Sequence, residues 1–289
     1  MAFTSFEQLC AAAHESGSLG KAAFELEASE SNLDRSVLEA RMRDTLQVMR
    51  EAVELGLSGT VRSRSRLTGG DAAKLSGSTR GPVGGPFVEA LAGALATGEV
   101  NAAMGRIVAA PTGGASGVLP AVLLTVGARV KATDEDLVEA LFASAGIGGV
   151  IAARATLAGA VGGCQAEVGS GAAMAAAAAV ELCGGTPDQA GHAAALALQG
   201  LAGLVCDPVG GLVEIPCVVR NATGAAVALA ATEMALAGVE FPIPLDEVVD
   251  AMAQIGRSLP PSLRETALGG LAITPTGKRL AQDALPQDR

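Results

Sequence analysis

The chain has 289 residues, 49% of them apolar but only 2% aromatic, with neither Trp nor Tyr, and carries a formal net charge of −10. That length can bury a sizeable core, and alanine and glycine must do most of its packing. The acidic balance, with lysine only at Lys21, Lys74, Lys131 and Lys278, argues against nucleic acid or an anionic membrane as partner.

Small residues let helices approach closely, whereas sheets favour β-branched and aromatic side chains. The expected fold is therefore all-α: a single domain over 1–289 of tightly packed Ala/Gly-rich helices joined by Gly/Pro-rich loops. The first stretch, "MAFTSFEQLCAAAHESGSLG", has no basic region and no apolar run of signal length, which points to a cytoplasmic chain. Reducing conditions and an odd count of five cysteines (Cys10, Cys164, Cys183, Cys206, Cys217) argue against a structural disulfide. Cys10 falls in a segment read as mobile.

Residues 20–56 alternate charge with Leu, Val and Met at helical spacing, giving one surface helix or two that stop at Gly56. Residues 57–86 are rich in Gly, Ser, Arg and Pro and read as a long loop, a length at which function is the usual reason. Within it "LTGGDAAKL" offers Asp71 as a helix N-cap and Lys74 as a pocket residue. "FVEALAGALATGEVNAAMG" reads as a helix to about Gly105. "APTGGASG" then breaks two apolar runs and aims backbone N–H groups and a helix start at an enclosed site suited to a carboxylate.

"LFASAGIGGVIAARATLAGAVGG" (141–163) has the length of a membrane span, but Arg154 near its middle favours a buried core helix instead. Thr133 and Thr186 are N-caps, the latter with Pro187 at the first helical position. "LDEVVDAMAQIGRSL" is amphipathic, and 279–289 is expected to fray.

Three cysteines lie where the helical pattern is interrupted: "GGCQAEVGSG" at Cys164, "LVCDPVGG" at Cys206 and "EIPCVVRNA" at Cys217. Core thiols are the plain alternative. Three thiolates without a fourth suit either an iron–sulfur cluster with one iron open or a zinc with water in the fourth position. Cys183, at an ordinary helix end, reads as core or surface.

The segments "LTGGDAAKL", "EVNAAMGRIVAAPTGGASGVLPAVLL", "GGCQAEVG", "CDPVGGLVEIPCVVRNA" and "RETALGGLAITPTGK" resemble the signature segments of the α subunit, or α domain, of the iron–sulfur-dependent L-serine dehydratases. The resemblance spans about 20–280. It implies a [4Fe–4S] cluster on Cys164, Cys206 and Cys217, whose open iron acts as Lewis acid on the serine hydroxyl, and deamination of L-serine to pyruvate and ammonia without pyridoxal phosphate.

Around such a centre, Thr112, Gly113, Gly114 and Ser116 suit the substrate carboxylate. Asn101, Arg220 and Asn221 suit the carboxylate or a cluster sulfide, with ordinary caps and supporting hydrogen bonds as the alternative. No general base is evident. His14 and His192 are the only histidines, and His192 reads as structural. The family's β region, with its "SSHT" motif, has no counterpart here, so a separate β subunit is expected to supply the histidine in an oligomer that involves neither membrane nor nucleic acid. The competing readings are a non-catalytic helical domain with core cysteines and an Ala/Gly-rich membrane protein.

Overall fold

The computed structural model describes residues 3–284. Among them the backbone forms thirteen α-helices, short 3₁₀ and π turns, and one isolated β-bridge. In chain order the helices are α1 (Phe6–Ser16), α2 (Leu19–Glu30), α3 (Arg35–Leu57), α4 (Asp71–Ser76), α5 (Pro86–Ala102), α6 (Val118–Val130), α7 (Asp134–Arg154), α8 (Gly159–Gly162), α9 (Ser170–Leu182), α10 (Pro187–Gly200), α11 (Cys217–Leu236), α12 (Leu245–Ser258) and α13 (Pro275–Ala284). The all-α expectation holds.

At the centre lies α9, "SGAAMAAAAAVEL", buried on every side from Ser170 to Val180. A helix apolar all round has no face for water, and its alanines let α6, α7, α10 and α11 pack closely about it. Glycine serves the same end against α5. A Cβ on Gly56 of α3 would stand 2.3 Å from the Ala96 carbonyl oxygen, and one on Gly117 would stand 2.3 Å from that of Ala94.

The caps at Thr133 and Thr186 are full capping boxes, closed by Asp136 and Gln189. The surface helix of 20–56 is two helices, α2 and α3. Four expectations need correction. The 57–86 loop contains α4, whose N-cap is Gly70 at φ +82°, with Asp71 the first helical residue. Cys10 is not in a mobile start: it is buried on α1, which is anchored by Asp246 accepting from the Phe6 and Glu7 N–H groups. The 141–163 stretch is not one helix, because α7 ends at Arg154, whose guanidinium pairs with Asp250 and Asp246. The expected fraying tail is helical to Ala284, and 285–289 lie outside the described residues.

Two segments, Gly113–Val130 and Asp134–Arg154, have the length and hydropathy of a membrane span. Most of each is buried inside the fold, as core helices are.

Candidate active site

Cys164, Cys206 and Cys217 are all buried and all free. Each stands at an irregular point of the backbone. Cys164 leads into a π turn, Gln165–Gly169, that runs on into α9. Such turns widen the helix and re-aim side chains, and they recur at functional sites. Gln165 fixes this one: its amide donates to the Gly162 and Met252 carbonyls and accepts from the Gly203 N–H. Cys217 is the first residue of α11, after Pro216. Two of the three sulfurs thus sit at helix N-termini, where the backbone dipole favours negative charge.

Cys206 lies on extended backbone bridged to Arg264: its N–H donates to the Leu263 carbonyl and its own carbonyl accepts from Glu265 N–H. The following Asp207 is buried and works on both sides. Oδ1 accepts from Arg220 at 2.8 Å, and Oδ2 accepts from the Leu271 N–H at 2.7 Å. Gly270, at φ +58°, passes so close to Asp207 that a Cβ would clash with its carboxylate. The "ALGGLAITPTGK" motif is in this way tied onto the cysteine loop.

The thiols perturb one another. Burial pushes the Cys164 thiol up to about 11, partly offset by the Arg220 guanidinium that faces it. It pushes Cys217 up to about 12, with Cys164 and Glu167 adding to the rise. Cys206 is raised further, by burial first and then by Glu167, Cys164 and Cys217. Each thiol therefore holds its proton at neutral pH until a cation takes its place.

Glu167, carried by the π turn, is the group in this site that sequence reasoning missed. Its Oε1 accepts a 2.6 Å hydrogen bond from the Thr112 hydroxyl, and its Oε2 lies 3.9 Å from the Cys206 sulfur. Burial raises its pKa, with the Glu265 carboxylate adding to the effect. Gly159 makes room for it: a Cβ there would sit 2.4 Å from Oε2 and 3.1 Å from the Cys206 sulfur.

The other expected site residues divide. Gly113 and Gly114 form a 3₁₀ turn beside Asn101 and Glu167 respectively. The Ser116 hydroxyl is fully buried and donates to the Gly113 carbonyl. Asn221 is 1% exposed and spent on structure: its amide donates to the Gly114 and Cys217 carbonyls and its oxygen accepts from the Gly117 N–H. It locks the "PTGGASG" turn onto α11. Arg220 donates to Asp207 and to the Val205 carbonyl. Lys74 is exposed, and its ammonium is held by Asp71 on the outer side of α4. His192 is structural as expected, its Nδ1 accepting from the Phe241 N–H.

Two further carboxylates, also unread in the sequence, order the long loop. Glu99, 1% exposed, accepts from the N–H groups of Gly70, Asp71 and Ala72 and so seats the start of α4. Glu214, three residues before Cys217, accepts from the Ser65 and Thr68 hydroxyls. The loop is thereby closed over the cysteine segment.

Three soft donors in one buried site, two of them at helix N-termini beside a cation, make a set suited to a metal centre. Among the described residues, the ligand triplet within 4.8 Å of one another is Cys10, His14 and Asp188, so the three thiols are spread wider than ligands of a single ion.

Comparison with known proteins agrees in extent. The family model described as "Serine dehydratase alpha chain" matches residues 11–272. The "Probable L-serine dehydratase, alpha chain" of Bacillus subtilis (strain 168) is 52% identical over 243 residues, covering 83% of this chain and 81% of that one. The "L-serine dehydratase, alpha chain" of Peptoniphilus asaccharolyticus is 42% identical over 266 residues and 91% of each chain. "L-serine dehydratase 1" of Escherichia coli (strain K12) is 43% identical over 182 residues, 62% of this chain but 40% of that longer protein.

Proposed function

The chain belongs to the serine dehydratase alpha chain family, and from that premise we propose that it is the cluster-bearing chain of an enzyme that deaminates L-serine to pyruvate and ammonia. What carries the reading is the convergence of Cys164, Cys206 and Cys217 on one buried site with Glu167 and Arg220. The three thiolates would hold a [4Fe–4S] cluster. When bound, such a cluster with one iron left open supplies a Lewis acid for the substrate hydroxyl.

The chain's own residues then have distinct tasks. Arg220, fixed by Asp207, sets a positive charge against Cys164. The "PTGGASG" turn, locked by Asn221, presents backbone N–H groups to the substrate carboxylate. The buried Arg264 Nε, which lacks a hydrogen-bond partner, is a second donor for it. Glu167, a buried carboxyl with a raised pKa, delivers a proton to the departing hydroxyl so that water leaves. A base takes the α-proton. The resulting 2-aminoacrylate tautomerises and hydrolyses to pyruvate and ammonia.

That base is assigned to a histidine of a separate β subunit, because His14 and His192 both have other partners. Pyruvate formation from L-serine under argon tests the whole reading: it is absent with the reconstituted chain alone and appears when the β subunit is added. Full turnover by the isolated chain would overturn the partner-histidine assignment, and no turnover with both chains would overturn the reaction.

A further inference from the structure

A second cluster of metal-ligating side chains lies outside this site. Cys10 and His14 are one turn apart on α1, so their side chains share a face. Asp188, in the first turn of α10, meets them there. Its Oδ2 lies 3.0 Å from the His14 Nε2, and its Oδ1 lies 3.7 Å from the Cys10 sulfur. All three ligand atoms fall within 4.8 Å of one another. Bonds of about 2.3 Å to sulfur and about 2.0 Å to nitrogen and oxygen in a tetrahedron separate the ligands by about 3.3–3.6 Å. The side chains need only small rotations to meet that figure.

The arrangement is not that of an activated nucleophile. In a Cys–His–Asp triad the imidazole stands between thiol and carboxylate; here the carboxylate stands between the other two. Burial, with Asp188 adding to it, pushes the Cys10 thiol up to about 11, so nothing prepares it to attack. A thiol, an imidazole and a carboxylate converging from two helices are instead the mixed donor set of a borderline-soft divalent ion. Cys10 is buried, whereas His14 and Asp188 are exposed, which leaves the fourth position open to water.

We propose that Cys10, His14 and Asp188 bind a divalent transition-metal ion of the zinc type, separate from the three-cysteine centre, which pins α1 to α10. Such an ion favours the folded chain, since Asp188 is 178 positions from Cys10 in sequence and leaves the other two ligands when the chain unfolds.

Cobalt(II) titration of the full, reduced, metal-free chain under argon provides the test. With Cys206→Ser removing the other thiolate site, one cobalt per chain is expected, with sulfur-to-cobalt charge-transfer absorbance that disappears on adding Cys10→Ser. His14→Ala and Asp188→Asn should each weaken binding roughly 100-fold or more. Should Cys206→Ser fail to fold, the otherwise wild-type chain serves: His14→Ala, at an exposed position, is expected to lose one cobalt equivalent. Unchanged stoichiometry and affinity in His14→Ala and Asp188→Asn would overturn the proposal. His14 and Asp188 take no part in the three-cysteine site, so this failure is distinguishable from failure of the cluster reading.

Discussion

Glu167 Oε2 lies 3.9 Å from the Cys206 sulfur, and the other oxygen of that carboxyl is already engaged by Thr112. The oxygen that faces the thiols, where it accepts from the Cys206 S–H, thus belongs to a buried acid with a raised pKa. If it delivers the proton to the leaving hydroxyl, Glu167→Gln should lower kcat by about 10²–10⁴-fold, because an amide has no acidic proton to give. The brown colour of the reconstituted protein should persist, since the thiols hold the cluster. Parallel measurement of kcat and visible absorbance under argon decides the matter. Loss of colour together with activity would make Glu167 a structural support instead.

Gly159→Ala tests the same geometry sterically. The backbone at Gly159 is not in the left-handed region, so the added methyl acts through its contacts with Glu167 and Cys206. The carboxyl end can move aside, so denaturant unfolding should show a loss of about 1 kcal/mol. kcat should fall at least tenfold, since about 1.4 kcal/mol of misplacement in the transition state suffices. Unchanged kcat would show that the Glu167 position does not matter to the reaction.

Asn221 makes three hydrogen bonds from a position 1% exposed. Asn221→Ala leaves the Gly117 N–H and two carbonyls without those partners and should cost about 2–3 kcal/mol in chemical denaturation. Because the lost bonds hold the "PTGGASG" turn, KM for L-serine should rise in the fraction that stays folded. A stability change below about 0.5 kcal/mol would contradict the role assigned to Asn221.

Glu181 accepts from the N–H groups of Leu19 and Gly20 at the start of α2, yet burial raises its pKa from 4.5 to about 7. The folded chain therefore binds this proton more tightly than the unfolded one. The resulting stability is fully present below about pH 4.5 and is lost as pH rises through 7. Melting temperature should accordingly fall between these values in the wild type relative to Glu181→Gln. Parallel melting curves for the two proteins would refute this.

Much of the helical framework was legible in the sequence because its signals are local. Thr133 and Thr186 announce their helices three residues ahead of the side chains that complete their capping boxes. Cys164, Cys206 and Cys217 stood out because glycine and proline interrupt the helical pattern around each. What was missed depends on which distant elements converge. Glu99, Glu167 and Glu214 look in sequence like any carboxylate on a helix or loop. Only the packed fold shows that the first caps α4, the second faces a thiol and the third holds the long loop. Nothing in the sequence joins Cys10, His14 and Asp188, for the same reason: neither "LCAAAHES" nor "TPDQAG" alone contains a ligand set. Lys74, drawn in by its motif, is directed outward by its pairing with Asp71.

Iron and acid-labile sulfide content of the chain reconstituted under argon decides whether Cys164, Cys206 and Cys217 together hold an iron–sulfur cluster. A brown protein with iron and sulfide in equal amounts is expected. Alanine at any one of the three positions should abolish both, whereas Cys183→Ala should leave both intact. A full complement of iron and sulfide in Cys206→Ala would show that this thiol is not a cluster ligand.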